Sequence, residues 1–131
     1  MNACRWLASL LVCAAVAGCA SGPFKNLADI FQVQNKAERR LVAGIDFYED
    51  GDYGTASQLL QSSLDAGLRS ISDQTRAHKY LAFIHCVSGR ERQCRDEFSK
   101  ALEIDPTFDL DPAEAGHPIW GLAFRSVKRK K

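Results

Sequence analysis

A chain of 131 residues with 17 Lys and Arg against 16 Asp and Glu is near neutral and long enough for one small domain. That balance gives nucleic-acid binding no electrostatic support. There is also no glycine-rich phosphate loop and no recognisable nucleophile motif, so neither an enzyme nor a cofactor is expected.

Residues 1–18 read as an address rather than as part of the fold. Arg5 supplies a positive start, and Trp6 to Val16 is an apolar run without charge. Such a run is too short for a stable spanning helix, which needs ~20 residues, and has the pattern of a secretory signal. Its end, Val16-Ala17-Gly18-Cys19, resembles the lipobox of bacterial lipoproteins. The resemblance implies a diacylglycerol on the Cys19 thiol, cleavage just before it, and acylation of the new amine. A thiolate is the nucleophile that can take the lipid. The competing reading is an ordinary secreted protein with a spare cysteine near its cleavage site; the charged start, apolar run and cysteine together favour the lipoprotein. Two or more acyl chains hold a protein on a membrane, at ~0.8 kcal/mol per buried CH₂. Ala20 and Ser21 follow, and the absence of aspartate there implies, by the same resemblance, a periplasm-facing protein sorted to the outer membrane.

Residues 19–34 read as the lipidated start, a tether through Gly22 and Pro23, and a short helix with Leu27, Ile30 and Phe31 on one side. A domain over 35–131 follows. Its first helix is predicted from about Asn35 to Asp50, with Leu41, Gly44, Ile45 and Tyr48 recurring at helical spacing. Gly51 ends it, and Asp52 can cap the next helix through its carboxylate. Tyr53, Ala56, Leu60 and Leu64 line that helix, and Gly67 closes it. The connection Arg69 to Gln74 reads as an insertion, with Asp73 a candidate cap.

From Thr75 to Phe108 the pattern sharpens. Ala77, Tyr80, Leu81, Ile84 and Val87 make one stripe, Gly89 stops the helix, and Cys94, Phe98, Ala101 and Leu102 make the next stripe before Pro106 forbids continuation. Two amphipathic helices on a short turn pack antiparallel. Leu81, Ala82, Gly89, Cys94, Phe98, Ala101 and Asp105-Pro106 together resemble a tetratricopeptide repeat, a helix–turn–helix of ~34 residues. His78 and His85 depart from it, standing where the repeat usually has aromatics. Aligning Gly51 with Gly89 places Gly44 over Ala82, Phe47 over His85, Ala56 over Cys94 and Leu60 over Phe98. The expected fold is therefore all-α, a short solenoid of two repeats (about 37–70 and 75–108) with a cap over 109–131.

In the cap, Asp111-Pro112-Ala113-Glu114 has the pattern of a helix start, Gly116 and Pro118 break it, and Trp120, Phe124 and Val127 give a last stripe. The segment reads as the closing helix that solenoids need, with Trp120 as a docking anchor the sharper alternative. Lys128 to Lys131 form a basic end. Within the mature chain Cys86 and Cys94 sit on opposite arms of one hairpin. They fit either a bridge, given an oxidising periplasm, or two buried thiols. His78, His85 and His117 lack the close spacing of zinc ligands, so no metal is expected.

The stretch from Lys79 to Val127, with its Asp111-Pro112 and His117-Pro118, resembles small lipoproteins of the TssQ type, encoded with type VI secretion systems. Leu122 departs from it, where a proline is expected. That resemblance implies an accessory component of the secretion apparatus. The alternative is an adaptor in general cell-envelope assembly. Groove positions of the repeat, carried over, fall on Leu41, Ile45 and Tyr48 in the first copy and on Arg76, Lys79 and Phe83 in the second. Such a groove would suit a protein partner's segment with acidic and apolar side chains. The sequence leaves open whether the N-terminal helix covers it.

Overall fold

Each glycine-separated pair of apolar stripes folds as an antiparallel helix pair. In the computed structural model, which describes residues 27–130, α1 (Leu27–Glu49) packs on α2 (Tyr53–Asp65), and α3 (Ile71–Val87) on α4 (Glu91–Ile104). The single turn α5 (Pro112–Ala115) and the helix α6 (Trp120–Lys128) complete the chain. No strand occurs among the described residues, so the fold is all-α: two helix-turn-helix repeats and a C-terminal capping helix. The expected signal, Cys19 and the expected tether lie outside the described residues.

The two turns are copies of one another. Gly51 (φ 82°) and Gly89 (φ 73°) stand 38 positions apart, both in the left-handed region where a Cβ is strained. Gly51 N–H donates to the Tyr48 carbonyl at 3.0 Å, and Asp52 N–H to Phe47 at 2.9 Å. At the same offset, Gly89 N–H donates to Cys86 at 3.1 Å, and Arg90 N–H to His85 at 2.9 Å. These bonds satisfy carbonyls that the ended helix leaves open. Ala56 and Cys94, and likewise Leu60 and Phe98, are fully buried at matched positions. A Cβ on Gly44 would lie 2.9 Å from Leu60 Cγ, so glycine there lets α1 and α2 approach.

The copies are locked differently. Asp52 Oδ1 accepts the Thr55 N–H at 3.0 Å and caps α2. Arg90, at the matched position, offers no side-chain cap to α4. That turn is closed instead by a disulfide between Cys86 and Cys94, whose Cα atoms are 5.1 Å apart.

Two expectations about element bounds are corrected. The short helix at Leu27 and the longer one from Asn35 are a single helix, because Gln32 to Lys36 holds neither glycine nor proline to break it. The helix expected from Thr75 begins at Ile71. Ser70 Oγ accepts the Asp73 N–H at 3.3 Å and is the cap, so Asp73 lies in the first turn and most of the expected insertion is helix.

Two apolar clusters form the core. Leu41, Ile45 and Leu60 meet Ala77, Leu81 and Ile84 of α3, while Phe83, Phe98 and Leu102 meet Phe124 and Val127 of α6. Tyr48 and Tyr80 pack against both clusters and join them. Phe124 is held edge-on by Phe98 at 5.1 Å and by Phe108 at 5.5 Å, so α6 closes the second pair as the cap the pattern predicts.

Candidate protein-docking face

The six predicted groove residues do not share one open surface. Leu41 and Ile45 are only 1% and 7% exposed, because α3 lies over them. Phe83 is 2% exposed, because Trp120 of the cap stacks on it at 4.6 Å between centroids. These three are core residues, and their assignment to a partner groove is corrected. Tyr48 is half-buried, edge-on to Tyr80 at 5.0 Å and beside Tyr53 at 5.6 Å. Burial, then the neighbouring Tyr53 and Tyr80, pushes its phenol up to about 12.

Arg76 and Lys79 do come together. With Ile71, Thr75 and Phe108 they line a shallow hollow on the outer side of α3. Arg76 remains open to solvent, 3.5 Å from Asp73. Lys79 is drawn inward. Its ammonium meets Glu114 at 2.7 Å and lies over the rings of Tyr80 (4.9 Å) and Phe83 (5.7 Å). Glu114 belongs to α5, whose start it also fastens by accepting the Asp111 N–H at 3.2 Å. The indole N–H of Trp120 donates to the Glu114 carbonyl at 3.0 Å. The cap thus places its own acid and its own aromatic on the Lys79 and Phe83 positions. No local pattern could have given this contact, since 35 residues separate Lys79 from Glu114.

The histidines serve three separate contacts. His78 Nδ1 lies 2.6 Å from Glu97 Oε2 and ties α3 to α4. His85 Nδ1 accepts from Arg90 Nε at 2.9 Å across the turn, and His117 stacks on Trp120. Burial, then Arg90, holds the His85 imidazole below its ordinary range. Glu97 also takes Lys100 at 2.7 Å. Burial raises the Glu97 carboxyl, but the hydrogen bonds from His78 and Lys100 outweigh it, so its pKa lies below the usual range. Among the described residues no three His, Cys, Asp or Glu side chains gather as a metal site.

What this arrangement offers chemically is a surface, with Arg76 and the Ile71–Phe108 hollow on one side and the exposed cap on another. No protein-family model, curated protein or solved structure matches the chain.

Proposed function

We propose that the protein is a non-enzymatic adaptor, lipid-anchored at Cys19 to the periplasmic side of the outer membrane, that holds a protein partner in type VI secretion. The observation that supports the adaptor reading is the copied turn, with the same hydrogen bonds 38 positions apart. It makes the domain a stack of helix pairs, an architecture that works by presenting side chains to other chains. The anchor rests on the lipobox resemblance at Val16 to Cys19, and the secretion role on the TssQ-type resemblance over Lys79 to Val127. No helix among the described residues is long and apolar enough to cross a membrane.

The test is a chromosomal deletion scored for effector release, with crosslinking and affinity capture from intact cells. Lowered release, restored by the wild-type gene but not by Cys19→Ser, together with capture of a secretion-machine subunit, is expected. Normal release with new sensitivity to detergents or antibiotics would move the adaptor to general envelope assembly. Labelled palmitate absent from the wild-type protein would remove the anchor.

A further inference from the structure

The ends of a helical stack are normally polar, because no further repeat covers them. The N-terminal end follows this rule. Ala77, Leu81 and Ile84 of α3 are buried against the first pair. Stepping back 38 positions reaches Arg39, Ala43 and Asp46 on α1, where the charged residues are exposed and, with Asn35 and Glu38, surround a single exposed aliphatic side chain, Val42. The C-terminal end breaks the rule. Ile119 and Leu122, one helical turn apart at the start of α6, are 49% and 59% exposed. Leu122 stands as a ridge between two hollows. One is lined by Pro118, Ala123 and Arg95, the other by Ala115, Arg125 and Lys128.

The rim of this patch is basic. Two acids reach the hollows, and both are engaged: Asp109 by Lys128 at 2.6 Å, and Glu91 by Arg95. Arg125 donates to the Ala115 carbonyl at 2.8 Å, and neither it nor Arg129 has a carboxylate partner among the described residues. A second copy of this chain is a poor occupant, since a two-fold contact through α6 would bring one basic rim against another. A bilayer needs no hollows on either side of a ridge, whereas helix side chains fill them.

We propose that this face of α6 docks an amphipathic helix of a partner protein, with aliphatic side chains on Ile119 and Leu122 and flanking Asp or Glu on Arg125 and Arg129. The proposal rests on the adaptor reading and gives the partner's chemistry.

The probe is a fluorescein-labelled amphipathic helix with Leu along one face and Glu flanking it, titrated onto the purified mature chain by fluorescence anisotropy. Saturable binding is expected. It should weaken by about tenfold or more in Leu122→Glu and in Arg129→Glu, and be lost when the flanking Glu are replaced by Lys. Val42→Glu, which removes an exposed aliphatic side chain at the N-terminal end instead, should leave it unchanged. Leu122 and Arg129 are both exposed, and circular dichroism checks that the fold persists. Equal binding by wild-type and Leu122→Glu protein overturns the proposal. So does retention on anionic vesicles without peptide binding, or a dimer in sedimentation that Leu122→Glu disperses. In cells, a deletion that lowers effector release while Leu122→Glu does not defeats this face and leaves the adaptor intact. A deletion without effect defeats the secretion role, and the peptide titration still judges the face.

Discussion

Reducing the Cys86–Cys94 bridge should weaken the protein without changing its shape. The bridge spans a sequence separation of 8. In the chain-entropy treatment, a loop of that size removes roughly 8 cal/mol/K from the unfolded ensemble, or about 2.5 kcal/mol at room temperature. For a domain of this size that corresponds to a fall in Tm on the order of 10–20 °C. The native turn does not depend on the bond. The first pair closes the same turn with Tyr48 and Ala56 at the positions of the cysteines, through the same hydrogen bonds. The assay is urea unfolding of the mature domain followed by circular dichroism, with and without a phosphine reductant, and with Cys86→Ala/Cys94→Ala in parallel. Unchanged helical signal in buffer is expected in both cases, with a loss of about 2.5 kcal/mol on reduction and a larger one in the alanine pair, which also removes two buried sulfurs. Loss of helix in buffer would mean that the bond makes the turn. A loss below about 0.5 kcal/mol would mean that the reduced chain holds the loop closed when unfolded, and the entropy reasoning would fail.

Other perturbations bear on separate parts of the fold. Gly44→Ala should destabilise by about 1–3 kcal/mol despite alanine's helix propensity, because the new methyl would lie 3.1 Å from the Leu60 backbone nitrogen. Gly54→Ala, where the nearest atom is Asp52 Oδ1 at 3.6 Å, should be neutral or stabilise by up to about 1 kcal/mol. Two glycines of opposite sign in one unfolding series check the close approach of α1 to α2. Asp52→Ala should lower the unfolding midpoint through the lost cap. Leu81→Ala should cost about 2–5 kcal/mol and leave a single unfolding transition, since Leu81 sits in the seam between the pairs; two transitions would mean that the repeats fold apart. On acidification, Glu97 is the depressed carboxyl that lies between two helices, α3 and α4. Its folded pKa is depressed, so its contribution is complete above the unfolded value and is lost as pH falls through the folded one. Unfolding midpoints measured from neutral pH downward should therefore decline in acid, and Glu97→Gln should flatten that decline.

The turns were legible because glycine is the residue that enters the left-handed region without strain, and Gly51, Gly67 and Gly89 all do so. Helix starts were legible where one residue dominated, as at Asp52, and were missed where candidates competed. Ser70 and Asp73 are both good caps, and only the backbone decides which precedes the first turn. The groove failed for a different reason. Periodicity correctly put Leu41 and Ile45 on one face of α1, but periodicity does not say which neighbour covers a face. Here α3 covers Leu41 and Ile45, and α5 and Trp120 cover Lys79 and Phe83. The two cysteines were compatible with a bridge or with buried thiols, and only the approach of their Cα atoms separates the two.

The two ends of the stack also bear on how the proposed anchor and the proposed docking face work together. Packing contacts of α1 are confined to α2 and α3, and those of α6 to α3, α4 and α5, so the two helices lie at opposite ends of the described domain. A lipid at Cys19 would hold the domain from the α1 side. Arg39 and Asp46 on that side suit water or head groups and reject another apolar helix. Ile119 and Leu122 would then lie at the end of the stack that the attachment does not occupy. That separation is what an adaptor requires, because a partner helix can reach α6 without competing with the tether. It also gives the basic α6 rim a reason to exist apart from lipid. Cations meant for a bilayer would serve better beside the anchor, where each is worth about 1 kcal/mol near an anionic surface and nearly nothing beyond a Debye length.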